Sequence, residues 1–113
     1  MRHFLEFSCT SGVNTFYVPV PYTCRLQGAA WTSNADPSTN HTVVLSKNGG
    51  NTIISGSMSH TPGEITTGTM TSTVADANQE LTTAAALKVV ITVSATLVLG
   101  MWVDLDPFSV KNL

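Results

Sequence analysis

The sequence predicts an all-β protein, and three observations support that prediction. Apolar and polar residues alternate with a period of two over several segments, the pattern of a strand with one buried face. Turn-forming residues separate these segments at short intervals, as in a sandwich or barrel. Threonine, which is β-branched and favours strands, occurs 17 times. We expect an antiparallel β-sandwich, most simply an eight-stranded jelly roll, with an immunoglobulin-like sandwich as the competing topology.

The N-terminal part of the chain predicts two strands and a loop. Residues 2–8 form the first strand, and the alternation over residues 16–26 predicts a second, long one. The apolar face of that strand consists of Phe16, Val18, Val20, Tyr22, Cys24 and Leu26. Pro19 and Pro21 cannot donate to a ladder, so this part must be a sheet edge or a bend. Residues 31–40 are rich in Ser, Asn, Asp and Pro and predict a loop.

The clearest local signal is a β-hairpin in the middle of the chain. Residues 41–47 and 51–58 read as strands on either side of Asn48-Gly49-Gly50. An Asn-Gly pair favours a tight turn with positive φ at both central positions.

The C-terminal half predicts three more strands. A loop at residues 59–63 precedes a threonine-rich strand over 65–73, and residues 74–86 fit either a short helix or irregular structure. Two alternating runs follow, residues 87–94 and 96–105. The stretch from 84 to 103 is apolar, but Lys88 interrupts it and β-branched residues dominate it, so we interpret it as two strands and not a membrane helix.

Length and composition indicate one domain, residues 1–113, that does not bind nucleic acid or membrane. We divide it into an N-terminal strand or arm (1–14), a sandwich core (15–105) and a C-terminal tail (106–113). Charged residues make up 11% of the chain, against about 25% in ordinary domains. The five Lys and Arg are scattered and form no basic stripe. The N-terminus does not read as a signal peptide.

The residue types that usually carry chemistry are poorly placed for it. None of the histidines is close in sequence to another histidine or a cysteine: His3, His41 and His60. Asp104 and Asp106 share a strand face, but they precede a proline and read as a solvated strand end. Cys9 and Cys24 read as reduced, small apolar residues, with a bridge possible only in an oxidising compartment. We therefore expect no catalytic residues, no metal and no cofactor.

Three aromatic residues are the candidate binding residues. By strand alternation, Tyr17, Trp31 and Trp102 fall on the faces opposite the main apolar sets. Outward-facing aromatics commonly anchor protein interfaces. The alternatives are that a loop covers them or that a β-bulge reverses the alternation.

Three segments together resemble a family of phage structural proteins. They read TFYVPVPYTCRLQGAAW, HTVVLSKNGGNTI and ELTTAAALKVVITVSATLVLGMWVDL. This order of strands and turns resembles small tailed-phage capsid decoration, or cement, proteins, over roughly residues 15 to 105. The N-terminal residues 1–8 lie outside the resemblance.

The resemblance implies a non-enzymatic virion protein with a jelly-roll fold. Such a protein is made in the host cytoplasm, binds the exterior of a shell of HK97-type major capsid protein and ties neighbouring capsomers together. It is expected to be a homo-oligomer, with a dimer favoured. The competing hypothesis is a carbohydrate-binding module of a phage fibre or other virion appendage, in which Trp31 and Trp102 would stack on sugars.

Overall fold

A computed structural model describes residues 1–71 and 80–107, and this part of the chain is all-β. Residues 72–79 and 108–113 lie outside the description, and with them residues 72–73 of the predicted strand 65–73, residues 74–79 of the predicted segment 74–86 and most of the predicted tail. The strands are Arg2–Cys9 (β1), Gly12–Val18 (β2), Cys24–Ser33 (β3), Thr42–Lys47 (β4), Thr52–Gly56 (β5), Thr66–Thr67 (β6), Thr69–Met70 (β7), Glu80–Leu81 (β8), Leu87–Val93 (β9) and Leu97–Pro107 (β10). Within the described ranges, no helix is long and apolar enough to cross a membrane.

The strands form two antiparallel sheets that pack face to face. Sheet A has the order β1-β10-β3-β6, with β8 also paired to β3, and sheet B has the order β2-β9-β4-β5-β7. The pairs β1 with β10, β2 with β9, β3 with β6 and β4 with β5 are nested, as in a long antiparallel ribbon wound into a jelly roll. The predicted β-sandwich is confirmed. The predicted count of eight strands is not, since the described residues contain ten, three of them only two residues long.

The core lies between the sheets and is filled by alternate residues of the long strands. The largest fully buried side chains are Trp31, Leu26, Leu45, Ile53, Ile54, Leu81, Leu87, Ile91, Leu99, Val43, Val89 and Val93. Burying one large aliphatic side chain is worth about 1.5–3 kcal/mol, so this set holds the two sheets together. β10 buries every second residue over its length, which is the alternation expected of a strand with one face on the core.

The predicted long strand over residues 16–26 is wrong, because the chain forms two strands there. β2 ends at Val18 in sheet B, and β3 begins at Cys24 in sheet A. Pro19 and Pro21 lie in the connection, where their missing N–H groups remove no ladder hydrogen bond. Both strands keep their apolar face on the core, which is why the alternation continues through the crossing.

A β-bulge in β3 changes which of its residues face the core. Asp104 of β10 pairs with Gly28 and Leu105 pairs with Leu26, so Gln27 is an extra residue on β3. An extra residue shifts the alternation by one position. As a result Trp31 faces the core, with 1% of its surface exposed, instead of the solvent. The predicted loop over residues 31–40 also begins later, since β3 continues to Ser33.

The predicted hairpin is confirmed, with a different turn. β4 and β5 pair in antiparallel register, and the amide of Gly50 donates to the carbonyl of Lys47 at 2.7 Å. Gly49 has a φ of 80°, whereas Asn48 is not among the residues with positive φ. Positive φ is therefore needed at one central position only, and glycine supplies it.

The predicted strand over residues 65–73 is split between the two sheets. β6 pairs with β3 in sheet A, and β7 pairs with β5 in sheet B. The single residue between them is Gly68, whose amide donates to the carbonyl of Ala29 at 2.8 Å. A Cβ at this position would lie 2.9 Å from the indole of Trp31 and closer still to Ile54. Only glycine lets the backbone pass this close to the core.

Candidate functional site

The three predicted interface residues do not form one site. Tyr17 is 58% exposed and lies on β2, between two partly buried residues that face the core, so it belongs to the outer face of sheet B. Trp102 lies between buried Met101 and Val103 on β10, which places it on the outer face of sheet A. Trp31 is in the core, and its Nε1–H donates to the carbonyl of Ser57 at 2.8 Å, so it is not an exposed anchor.

The outer face of sheet A carries an apolar groove of about 250 Å³, which we call the sheet A groove. Exposed or half-buried apolar side chains form its walls: Phe4, Ile65 and Trp102. Small residues and one hydroxyl form its floor: Ala30, Gly100 and Thr32. Phe4 is 78% exposed and Ile65 is 67% exposed. A cluster of large apolar side chains with this much exposure is typical of a binding surface.

The strand register explains why these residues meet. Phe4 of β1 is opposite Trp102 of β10, which is opposite Ala30 of β3, so the three stand in one row across the sheet. In the next row Gly100 lies between Glu6 and Thr32. A Cβ at Gly100 would have no atom within 4 Å. The missing side chain at the centre of the sheet therefore creates the groove.

Arg2 and Asp104 close one end of this surface. The Arg2 guanidinium lies 3.7 Å from the centroid of the Trp102 ring and donates to Asp104 Oδ1 at 3.0 Å and Oδ2 at 3.3 Å. The hydrogen bond from Arg2 holds the pKa of Asp104 below its ordinary value, and the same bond raises the pKa of Arg2. The pair is largely solvent-exposed, so its main effect is to fix the orientation of Trp102.

One polar atom in the floor lacks a partner. The Thr32 hydroxyl is buried and makes no hydrogen bond with any residue the structure describes. Leaving a buried hydroxyl unpaired costs about 1–3 kcal/mol. Because this oxygen is inaccessible, the groove presents an apolar surface to a partner. The other groove-lining residues are apolar, and none of them titrates.

A second cluster, which the sequence did not predict, joins two loops at one end of the sandwich. Nε2 of His41 lies 3.0 Å from Nε2 of His60, and Nδ1 of His60 lies 3.0 Å from Asp36 Oδ1. The amide of Met58 donates to Nδ1 of His41 at 3.0 Å. His41 and His60 are 19 residues apart in sequence, so only the tertiary fold brings them together.

The hydrogen bonds of this cluster define its proton positions and its role. Since His41 accepts a bond at Nδ1, its neutral ring carries the proton on Nε2 and donates to His60. His60 then carries its proton on Nδ1 and donates to Asp36, so no ring nitrogen has a free lone pair for a metal. Consistent with this, no group of three or more potential metal ligands occurs in residues 1–71 and 80–107. The cluster fastens the β3–β4 loop to the β5–β6 loop.

The two cysteines are buried, and neither forms a disulfide. Burial raises the pKa of the Cys9 thiol. Burial, with a smaller contribution from Asp106, also raises the pKa of the Cys24 thiol. Both are therefore weak nucleophiles at neutral pH.

No protein-family model matches the chain, and neither a curated protein nor a solved structure matches it. The function of the chain is therefore inferred from its own residues. The feature best suited to contact another molecule is the sheet A groove, whose lining is apolar.

Proposed function

We propose that this chain is a non-enzymatic virion protein that binds the outside of a phage capsid and links neighbouring capsomers. The observation that carries the proposal is the exposed apolar surface around the sheet A groove, with Phe4, Ile65 and Trp102 at its rim. The resemblance of residues 15 to 105 to capsid decoration proteins supports the choice of partner, the major capsid protein of an HK97-type shell.

The groove favours a protein partner over a sugar. A carbohydrate site needs several hydrogen-bonding groups placed around an aromatic ring, because each sugar hydroxyl loses water on binding. The one hydroxyl in the groove lining, that of Thr32, is buried, and Arg2 already covers part of the Trp102 ring. An apolar side chain of a capsid loop fits this lining better.

Binding of this kind stabilises a shell by mass action. A subunit that binds only the assembled shell lowers the free energy of that state by its own binding free energy. A subunit that touches two capsomers gains further from the high effective concentration of the second contact. Many equivalent copies then add their contributions.

The test compares two exposed aliphatic residues on opposite faces. Ile65→Ser changes the groove, and Val13→Ser changes β2 on sheet B, where Val13 is 71% exposed. Purified variants are added to capsids that lack the protein, and occupancy is measured by gel densitometry and cryo-electron microscopy. We expect Ile65→Ser to weaken binding at least tenfold and Val13→Ser to leave it unchanged.

Trp102→Ala provides an independent check on the same surface. Truncating a central aromatic anchor costs about 2 kcal/mol or more, which is roughly a 30-fold loss of affinity. Capsids carrying the wild-type protein should also survive heating to a higher temperature than bare capsids. Equal heat stability with and without bound protein would refute the cementing role. Glycan binding that Trp102→Ala abolishes would support the carbohydrate-binding hypothesis instead.

A further inference from the structure

The outer edge of sheet A is strand β1, and within residues 1–71 and 80–107 no strand pairs with its outer side. β1 is the last strand of the sheet, and among the described residues it pairs with β10 alone. It is eight residues long and contains no proline, and its register with β10 has no bulge. Edges of this length usually carry a device that blocks pairing with another strand.

The alternation of hydrogen bonds between β1 and β10 shows which backbone groups of β1 point away from the sheet. The amide of Leu105 donates to the carbonyl of Met1 at 2.8 Å, so the odd residues of β1 hydrogen-bond to β10. The amides and carbonyls of the even residues therefore point away from the sheet. These residues are Arg2, Phe4, Glu6 and Ser8, all of them exposed.

The even residues are complementary to themselves in the antiparallel direction. If two β1 strands pair about a two-fold axis at Phe4, Arg2 of one copy lies opposite Glu6 of the other. The Arg2 guanidinium, which is bonded to Asp104 of its own chain, is then shared between the two carboxylates. Opposite charges in directly paired positions stabilise a sheet, and so does an aromatic pair. The arrangement places one such charge pair on each side of the Phe4 pair.

We propose that β1 pairs antiparallel with β1 of a second copy, with Phe4 on the two-fold axis, so that the two A sheets become one continuous sheet. Every even residue from Arg2 to Glu6 then exchanges backbone hydrogen bonds with its counterpart. Phe4 of each copy sits beside Trp102 of its own chain, so the joined outer face carries a row of four aromatic rings. The interface does not depend on the capsid proposal.

Neighbouring registers lack this complementarity. The free backbone groups belong to even residues, so allowed registers differ in steps of two residues. A shift in one direction puts Phe4 opposite Glu6, and a further step puts Glu6 opposite Glu6. A shift in the other direction puts Arg2 opposite Phe4, and then Arg2 opposite Arg2. Only the proposed register sets each charge against its opposite.

Charge reversal tests the interface through rescue. Arg2→Glu and Glu6→Arg each place like charges in direct opposition, so each variant alone should dissociate at least tenfold more readily than wild type. Mixed in equal amounts, the two variants regain both opposite pairs and should form a heterodimer. Sedimentation velocity from low to high micromolar concentration measures all three. Glu64→Arg makes the same charge change on an exposed loop residue and should leave the wild-type dimer unchanged.

Cross-linking tests the register without relying on affinity. Phe4→Cys places two thiols opposite each other on the axis, within the Cα distance of about 4.4–6.8 Å that a disulfide requires. Mild oxidation should convert it to a covalent dimer, whereas Glu6→Cys, displaced from its own copy by four residues, should stay uncross-linked. A wild-type monomer at high micromolar concentration would overturn the proposal, as would a mixture that fails to associate or preferential cross-linking of Glu6→Cys. Circular dichroism confirms that each variant is folded.

Discussion

Gly68→Ala tests whether the close contact of the Gly68 backbone with Trp31 and Ile54 is needed for the stability of the fold. Gly68 is the residue at which the chain crosses from β6 in sheet A to β7 in sheet B. The added Cβ would lie 2.9 Å from the Trp31 ring and closer to Ile54 Cγ2, and real Cβ contacts are essentially never this short. Trp31 cannot move aside easily, because its Nε1–H is bonded to Ser57 and a Cβ at Gly56 would also lie 2.9 Å from its ring. The indole is held between two glycine backbones.

The expected cost of Gly68→Ala follows from two opposing effects. Overpacking a core costs about 1–3 kcal/mol, and replacing glycine by alanine returns about 0.4–1 kcal/mol by restricting the unfolded chain. The net loss is therefore about 1–2 kcal/mol, or roughly 4–8 °C in Tm for a chain of this size.

Gly100→Ala is the matched control for this prediction. It makes the same substitution in a strand of sheet A, at a position where a Cβ meets nothing within 4 Å. Urea unfolding followed by circular dichroism gives the free energy of unfolding for both variants. We expect Gly100→Ala to stay within about 0.5 kcal/mol of wild type. Equal losses in the two variants would refute the packing argument.

Three further predictions concern the core, the loop cluster and the thiols. Trp31→Phe removes the hydrogen bond to Ser57 and part of a ring that is almost fully buried, so urea unfolding should show a loss of about 1–3 kcal/mol. A stability equal to wild type would mean that the indole N–H contributes nothing. The Ser38 amide, and after it a histidine, lower the pKa of Asp36, so its stabilising effect is present above about pH 4 and is lost as the pH falls through the lowered pKa. The Tm advantage of wild type over Asp36→Asn should thus vanish on acidification, and a pH-independent difference would contradict this. Because Cys9 and Cys24 are buried, an aromatic disulfide reagent should modify them only on unfolding, and rapid modification of the folded protein would argue against that placement.

The local features of the fold could be predicted from the sequence to the extent that they depend on neighbouring residues. The hairpin around Gly49 rests on turn chemistry that a few residues determine. β10 instead continues past its predicted end at residue 105, since Asp106 and Pro107 still pair with β3. The burial of β9 and β10 follows from uninterrupted alternation. The crossing between β2 and β3 can be predicted only in part. Pro19 and Pro21 indicate that the strand is interrupted, but they do not show which sheet the next strand joins.

The candidate site was harder to predict, because it depends on register and on contacts between distant segments. One extra residue, Gln27, reverses the alternation and moves Trp31 from the surface to the core. The adjacent Gly28 is a local signal of such a bulge, but it does not show which residue is the extra one. Phe4 and Ile65 are far apart in the chain. They line the same groove only because β10 and β3 pair side by side and form the part of the sheet between them. Trp102 was placed correctly on an outer face, since no bulge separates it from the alternating residues before it.

The nested pairing also constrains how the chain is made on the ribosome. β1 emerges first, yet its partner β10 is translated after every other described strand, and β2 must wait for β9 in the same way. Sheet A therefore cannot be completed until residue 107 has left the exit tunnel, although the β4–β5 hairpin can pair earlier. Slow folding is the kinetic consequence of placing the last described strand at the centre of sheet A.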